Sequence, residues 1–494
     1  MLFLAFFALA LRVWHLDRVP YGFHGDEALT GLDALWILDE GWIGPYVYPS
    51  GLGQPTGPLY FVAAVISLLG PSVFSVRLAM ALIGVGAVVF TYLAARRMFD
   101  PTVAFFAAFL LAVMRWHLHL SRTGLMVGAW PCVFAATLWV LFAARERKRE
   151  VLYALAGLVA GLGVYTYNAY VITLPVLASV FAVDLFGRAP AVRSQARRGA
   201  VLFWLVVALM TVPMVMFALE YPEAYFYHHR AASLLGSDVW QATDWTGRLG
   251  LLSQRAGEWL GGMFVGGRLD LDDGTSSIGH PPIGPVTAAL AAVGLLLATR
   301  VRNRAAAAVL YVAVLVFPLG GILTIGSGIF RRSFAIAPIV CMAAALPLAW
   351  LWRRRERAAA ATVGALLMAA TSFNVFGYFV LDQQSAEVWN IFAGEFRRAA
   401  EVMADLPRGR RVYFYSGRWS VDYPPRKFLA PQVDAHDRST EFGSGDQTIE
   451  VPATFLFLDR YLGHIAAVRA AYPGGESDSA TYRGRTLFRI YHVD

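Results

Sequence analysis

Eleven apolar stretches, each bounded by charge, glycine or proline, constrain this chain more than any other feature. They lie near residues 2–16, 75–95, 102–120, 128–144, 151–170, 171–187, 200–219, 283–299, 305–325, 333–352 and 358–379. About 20 apolar residues cross the roughly 30 Å hydrocarbon core as a helix, since lipid offers no other partner for backbone polar groups. Only 15% of the 494 residues are charged, against roughly 25% in soluble domains. The pattern predicts an α-helical polytopic membrane protein with about eleven transmembrane helices. Pro71, Pro101, Pro222, Pro281 and Pro282 fall at or between the segments, where helices end.

Charge sets the orientation. Every second junction is basic: Arg96-Arg97, RERKRE at 145–150, Arg188 to Arg198, RVRNR at 300–304 and RRRER at 353–357. The positive-inside rule assigns these junctions, and the N-terminus, to the cytoplasm. Residues 17–74, 121–127, those around 170, 220–282, 326–332 and everything after 380 then lie outside. The apolar run at 57–70 is short for a span and reads as an interfacial helix, because a further crossing there would invert every later segment. The run from Leu2 to Leu16 has no basic n-region or small-x-small cleavage site, so it reads as a span and not a signal peptide. It covers only about 22 Å, and the expectation is that a few residues precede the recorded start.

The net charge of +8 is gathered between apolar runs, which suits membrane orientation and not nucleic-acid binding. Cys132 and Cys341 lie within apolar runs and read as buried thiols, with no disulfide or zinc site implied. The chain divides into a membrane domain, 1–379, with external loops 17–74 and 220–282, and a tail, 380–494. In the tail SAEVWNIFAGEFRRAAEVMADL has helical spacing, while RRVYFYS, ATFLFLD and RTLFRIYHV read as strands. The tail is expected to be a small extracytoplasmic α/β domain.

Two adjacent carboxylates, Asp26 and Glu27, stand about ten residues beyond the first apolar helix. Ionisable groups at a lipid–water boundary are costly to desolvate and are functional candidates. The plainer alternative makes Asp26 an N-cap of the following helix and Glu27 a favourable charge on its dipole. His228 and His229, with Asp272 and Asp273, raise the question of a metal. Adjacent histidines on a helix point about 100° apart, so no metal site is expected there.

A first helix ending LRVWHL followed by P-x-G-x-x-x-DE-A resembles the GT-C glycosyltransferases. The nearest branch is that of protein O-mannosyltransferases and lipid A aminoarabinose transferases (glycosyltransferase family 39-like). The likeness continues in order through LLGPSVFSVRLAMALIG, HLHLSRTGL, YPEAYFYHHRAASL, GHPPIGPVTAALAAVGLLL and FRRSFAIAPIV. It implies a GT-C fold with external juxtamembrane helices and transfer of a sugar from a polyprenyl-phosphate donor to a protein, lipid or glycan acceptor. That transfer would occur outside the cytoplasmic membrane, with no cofactor required.

Such chemistry needs a carboxylate to deprotonate the acceptor hydroxyl and cations to stabilise the departing phosphate. The resemblance assigns the base to Asp26, with Glu27 orienting the acceptor or an arginine, and single-step attack would invert the anomeric centre. It implies a phosphate contact for Arg77, and Arg331 and Arg332 at an outer helix end and Arg122 at the start of an outer loop are further candidates for phosphate binding. Arg230, Tyr165, Tyr167, His228 and His280 are candidates to contact substrate. Each arginine has an ordinary alternative, snorkelling at a helix end. The chain also departs from the branch: Val127 and Gly128 stand where an acidic residue is usual, and Tyr165, Tyr167 and Asn168 where a lysine is. The competing functions are a transporter or flippase of a lipid-linked substrate and a non-catalytic envelope assembly protein. Neither the internal symmetry nor the mid-membrane charges of a transporter are evident.

Overall fold

A computed structural model describes residues 1–47, 53–187, 190–266, 280–326, 328–439 and 449–494. All eleven apolar stretches are helical. Six helices are long and apolar enough to cross a bilayer: Val73–Met98, Met126–Arg147, Asn168–Gly187, Val192–Glu220, Arg304–Ile322 and Arg357–Gln384. A seventh crossing is formed if Pro101–Val113 and Arg115–Arg122, which meet at 60°, count as one. The remaining four stretches give shorter helices of 12 to 17 residues, Leu2–Val13, Glu150–Gly163, Pro285–Ala298 and Ile336–Trp352. The run at 57–70 is the 13-residue helix Gly57–Leu69. Helices Val73–Met98, Pro101–Val113, Ala129–Arg147 and Ile336–Trp352 supply much of the central core, where small residues allow close packing.

The five basic junctions share one face. Arg97 pairs with Glu146, Arg353 with Asp100 and Arg198 with Glu150, while Arg145 grips Asp184 through Nε (2.6 Å) and Nη2 (2.8 Å). Asn303 Nδ2 donates to the Met98 carbonyl at 3.2 Å. This clustering is what an even number of crossings between basic junctions requires.

The tail contains a five-stranded sheet in the order Ala435–Asp437, Arg411–Tyr415, Ala453–Leu458, Arg485–Val493, Glu476–Tyr482. The first three strands are mutually parallel and the last two pair antiparallel. Strand Ala453–Leu458 is buried on both faces, which explains a sequence apolar but for Thr454, whose hydroxyl lies 2.9 Å from His492 Nδ1. The expected single helix of the tail is two, Ala386–Ile391 and Gly394–Ala404, broken where Ala393 adopts φ +50°.

The tail docks on the segment that follows the first helix. The Phe23 amide donates to the Phe392 carbonyl at 2.7 Å, and the Gly25 amide to the Tyr423 hydroxyl at 3.1 Å. Arg397 Nη1 donates to the carbonyls of Asp17 (2.6 Å) and Gly22 (3.1 Å). Gly22 has φ +106°, and a Cβ there would lie 2.2 Å from the Phe392 carbonyl oxygen, so only glycine fits this crossing.

Candidate active site

Helix Gly25–Glu40 carries both carboxylates in its first turn. Its cap is His24: the imidazole Nδ1 accepts from the Asp26 amide at 3.0 Å, and Glu27 Oε2 accepts from the His24 amide at 3.0 Å. This reciprocal arrangement closes the helix end without the Asp26 side chain. Asp26 is therefore not the N-cap, and its carboxylate faces a cleft.

Glu27 is wholly buried. Oε1 accepts from Arg77 Nε (2.9 Å) and the Gly124 amide (2.7 Å), and Oε2 accepts from Arg77 Nη2 (2.9 Å) as well as from His24. Burial by itself would raise the Glu27 pKa. The Arg77 charge and these hydrogen bonds outweigh it and hold the carboxyl below its ordinary value. The remaining donors of Arg77 go to carbonyls: Nη1 to Leu16 (3.2 Å) and Pro20 (2.8 Å), Nη2 to Gly22 (2.9 Å). The expected phosphate role of Arg77 does not fit these surroundings, because a fully buried guanidinium with its donors so engaged offers nothing to an incoming anion. Glu27 likewise has no spare edge with which to orient an acceptor.

Arg122 is also buried. Its Nη1 donates to the Leu11 carbonyl (2.7 Å) and its Nη2 to those of Trp14 (2.8 Å) and Val19 (2.9 Å), closing the end of the first helix. It too faces backbone and not the cleft. Arg230 pairs with Glu223 at 2.7 Å on the surface, its side chain 59% exposed. The Tyr165 hydroxyl donates to the Met210 carbonyl at 2.5 Å, and His280 lies against Phe373, so neither lines the cleft. These placements correct the expected roles of Arg122, Arg230, Tyr165 and His280. Asp272 and Asp273 lie outside the described residues.

The cleft brings together Asp26, Tyr167, His228, Arg331 and Arg332 from four separate segments of the chain. Asp26 Oδ2 lies 3.6 Å from Arg331 Nη1. Arg332 Nη2 is 3.5 Å from His228 Nε2. His228 is pushed down to about 4, by burial first, then by Arg332, His229 and Arg331, with Asp26 opposing. The imidazole is consequently neutral at pH 7 and accepts a proton reluctantly beside the arginine pair. Polar lining that sequence reasoning did not single out comes from Thr30, Gln54 and Thr166, together with Asn168. Asn168 Nδ2 donates to the Gly53 carbonyl at 3.1 Å, and Gln54 Nε2 lies 3.5 Å from Asp33 Oδ2. Val127 is buried in the cleft wall.

The cleft borders a mainly apolar recess that shares Tyr167, Asn168, His228 and Arg332 with it and continues along Val171, Ile172, Ala232 and Leu323. A polar cleft with a carboxylate and two arginines thus lies beside an apolar trough. Among the described residues no three His, Cys, Asp or Glu side chains come together as a metal site would require.

Residues 53–217 match the family model for dolichyl-phosphate-mannose-protein mannosyltransferases. Among curated relatives, an undecaprenyl phosphate-alpha-4-amino-4-deoxy-L-arabinose arabinosyl transferase of Pseudomonas fluorescens is 26% identical over 255 residues, 46% of this chain and 45% of that protein. A Pseudomonas paraeruginosa protein of the same description is 25% identical over 281 residues, 51% of this chain and 49% of its own length. The matches thus span about half the length of these relatives. Among solved structures, ArnT of Cupriavidus metallidurans bound to undecaprenyl phosphate superposes with a TM-score of 0.58 at 14% identity, covering 99% of this chain and 97% of that one. The Archaeoglobus fulgidus oligosaccharyltransferase AglB, in complex with an inhibitory peptide and a dolichol-phosphate, gives 0.55 at 15%, covering 87% of this chain and 63% of that one. The chain has the GT-C membrane fold, in an arrangement like that of ArnT.

Proposed function

We propose that this chain is a glycosyltransferase that moves a sugar from a polyprenyl-phosphate donor to an acceptor hydroxyl on the outer side of the cytoplasmic membrane. The observation that carries this reading is the Asp26 carboxylate 3.6 Å from Arg331 in a cleft that Arg332 also lines and that borders an apolar trough. The trough suits the isoprenoid chain, and the arginines suit the phosphate, whose oxygens a planar guanidinium can grip in pairs.

In this reading Asp26 takes the acceptor's proton as its oxygen attacks the anomeric carbon. The bond from that carbon to the phosphate oxygen breaks, and the electron pair leaves on polyprenyl phosphate. Arg331 stands between the two charges, close enough to Asp26 to orient it and able to follow the phosphate as negative charge grows there. A single displacement of this kind inverts the anomeric centre. His228, neutral beside Arg332, leaves the cleft's positive charge to the arginines, and Tyr167 offers a ring face to the sugar. Eleven crossings with the basic junctions in the cytoplasm put the cleft and the tail outside, and the tail then borders the acceptor's approach.

The test is mass spectrometry of envelope glycans and glycolipids from a deletion strain complemented with the native chain or with Asp26→Asn. General-base catalysis contributes roughly 10²–10⁴-fold. The native chain should restore a glycosylated product that Asp26→Asn, expressed at equal level, does not. Normal product from the variant removes Asp26 from the base role, and an unchanged glycan inventory in the deletion strain removes the transferase reading.

A further inference from the structure

On the opposite face of the membrane domain lies a pair of recesses, of about 510 and 480 Å³, that meet at Arg302 and Asn303. Arg77, at the level of the cleft, and Arg97, in the first recess, are twenty residues apart on one helix, about 30 Å along its axis. The recesses are therefore remote from Asp26, on the side that the basic junctions assign to the cytoplasm.

Their charges do not cancel. The acids are engaged within the protein: Glu146 with Arg97, Asp184 with Arg145 and Asp100 with Arg353. Lys148, Arg300 and Arg302 also line the recesses, and among the described residues none of the three has a carboxylate within 4.0 Å. Asn303 is held at the junction by its own bonds, Nδ2 donating to Met98 and Oδ1 accepting from the Ala306 amide at 3.4 Å. Beside these cations stands an apolar wall, with Phe99, Leu297, Leu346 and Trp350, the last 48% exposed. Arg300 and Arg302 border this wall, with Lys148 in the adjoining recess; such cations beside an apolar wall at a helix-end face match an amphiphile with an anionic head, and a soluble anion would leave the wall unused.

We infer that this double recess binds an anionic phospholipid, its phosphate among Lys148, Arg300 and Arg302 and its acyl chains against Trp350, Leu346 and Leu297. The site is separate from the cleft and needs no assumption about catalysis. Each cation near an anionic headgroup contributes roughly fivefold in affinity. Among the described residues Lys148 and Arg302 have no ion-pair partner, so their replacement removes no salt bridge seen in the fold.

The experiment is native mass spectrometry of the full chain in a neutral detergent, titrated with cardiolipin, with phosphatidylcholine and with inorganic phosphate, supported by thermal melts. The native protein should retain about one cardiolipin and melt higher with it, and phosphatidylcholine should do neither. Lys148→Gln with Arg302→Gln should weaken cardiolipin retention by roughly 25-fold, while Arg408→Gln in the tail should not. Equal retention of phosphatidylcholine, an unchanged double variant, or an equal thermal shift from inorganic phosphate alone would each overturn the assignment, the last by making this a free-anion site. If the double variant is poorly folded, Lys148→Gln alone decides: a drop of roughly fivefold supports the site and none refutes it.

Discussion

Glu27→Gln separates a structural carboxylate from a chemical one. Glu27 accepts four hydrogen bonds, two from Arg77 and one each from the Gly124 and His24 amides, in a wholly buried setting. Glutamine keeps the shape but leaves the Arg77 charge buried without its counter-ion and turns one acceptor into a donor facing a donor. Breaking a buried pair by removing one partner costs about 3–5 kcal/mol, which for a chain of 494 residues corresponds to a fall in melting temperature of about 3–5 °C. Replacing both partners by apolar residues should recover only some of this, because the Leu16, Pro20 and Gly22 carbonyls would still lose their donor. The pH dependence has a definite sign. The Glu27 pKa is lowered in the folded protein, so its contribution is fully present above the unfolded value of 4.5 and is lost as pH falls through the folded one. Melts of the purified variant in neutral detergent should give both the lower midpoint and a flattened acid limb. An unchanged melting temperature together with lost transfer would refute this reasoning and return Glu27 to the chemistry.

Arg331→Gln and Arg332→Gln should each weaken undecaprenyl phosphate binding by roughly 10–100-fold, the worth of one charge-assisted contact, and equal affinity by titration calorimetry would take the phosphate out of the cleft. The same ligand should raise the His228 pKa from about 4, since it adds negative charge beside the arginines that help hold it down. Histidine-resolved NMR reads that change, and without ligand His228 should favour stability increasingly as pH rises from about 4 to 6.5. Tyr423→Phe removes the acceptor of the Gly25 amide and should cost about 1 kcal/mol while slowing turnover more than it alters donor affinity; an unchanged turnover would show that this contact does not steady Asp26.

Much of this architecture could be read from residue patterns. Apolar runs bounded by arginine became helices, the basic junctions gathered on one face, and RRVYFYS, ATFLFLD and RTLFRIYHV became strands, the first two as short apolar runs buried almost throughout and the third half-buried. Asp26, Arg331 and Arg332 were legible through their place in ordered motifs. What the pattern could not separate was one arginine from another. Arg77, Arg122 and Arg230 also sit near helix ends, yet they meet a buried glutamate, a ring of carbonyls and a surface glutamate. That difference comes from partners 50 or more residues away in two cases and from solvent in the third. The His24 cap was missed because imidazole is an uncommon acceptor at that position, and Gln54 and Thr166 carried no motif. The break at Ala393 is marked in the sequence only by the following Gly394, while the left-handed conformation falls on the alanine.

Tyr423 and Phe392 tie the tail to the very turn that bears Asp26, so the soluble domain and the carboxylate share one mechanical frame. A chimera that exchanges residues 380–494 alone would seat a foreign surface against Gly22 and Gly25. One that carries residues 16–31 along with it would transplant both halves of the joint.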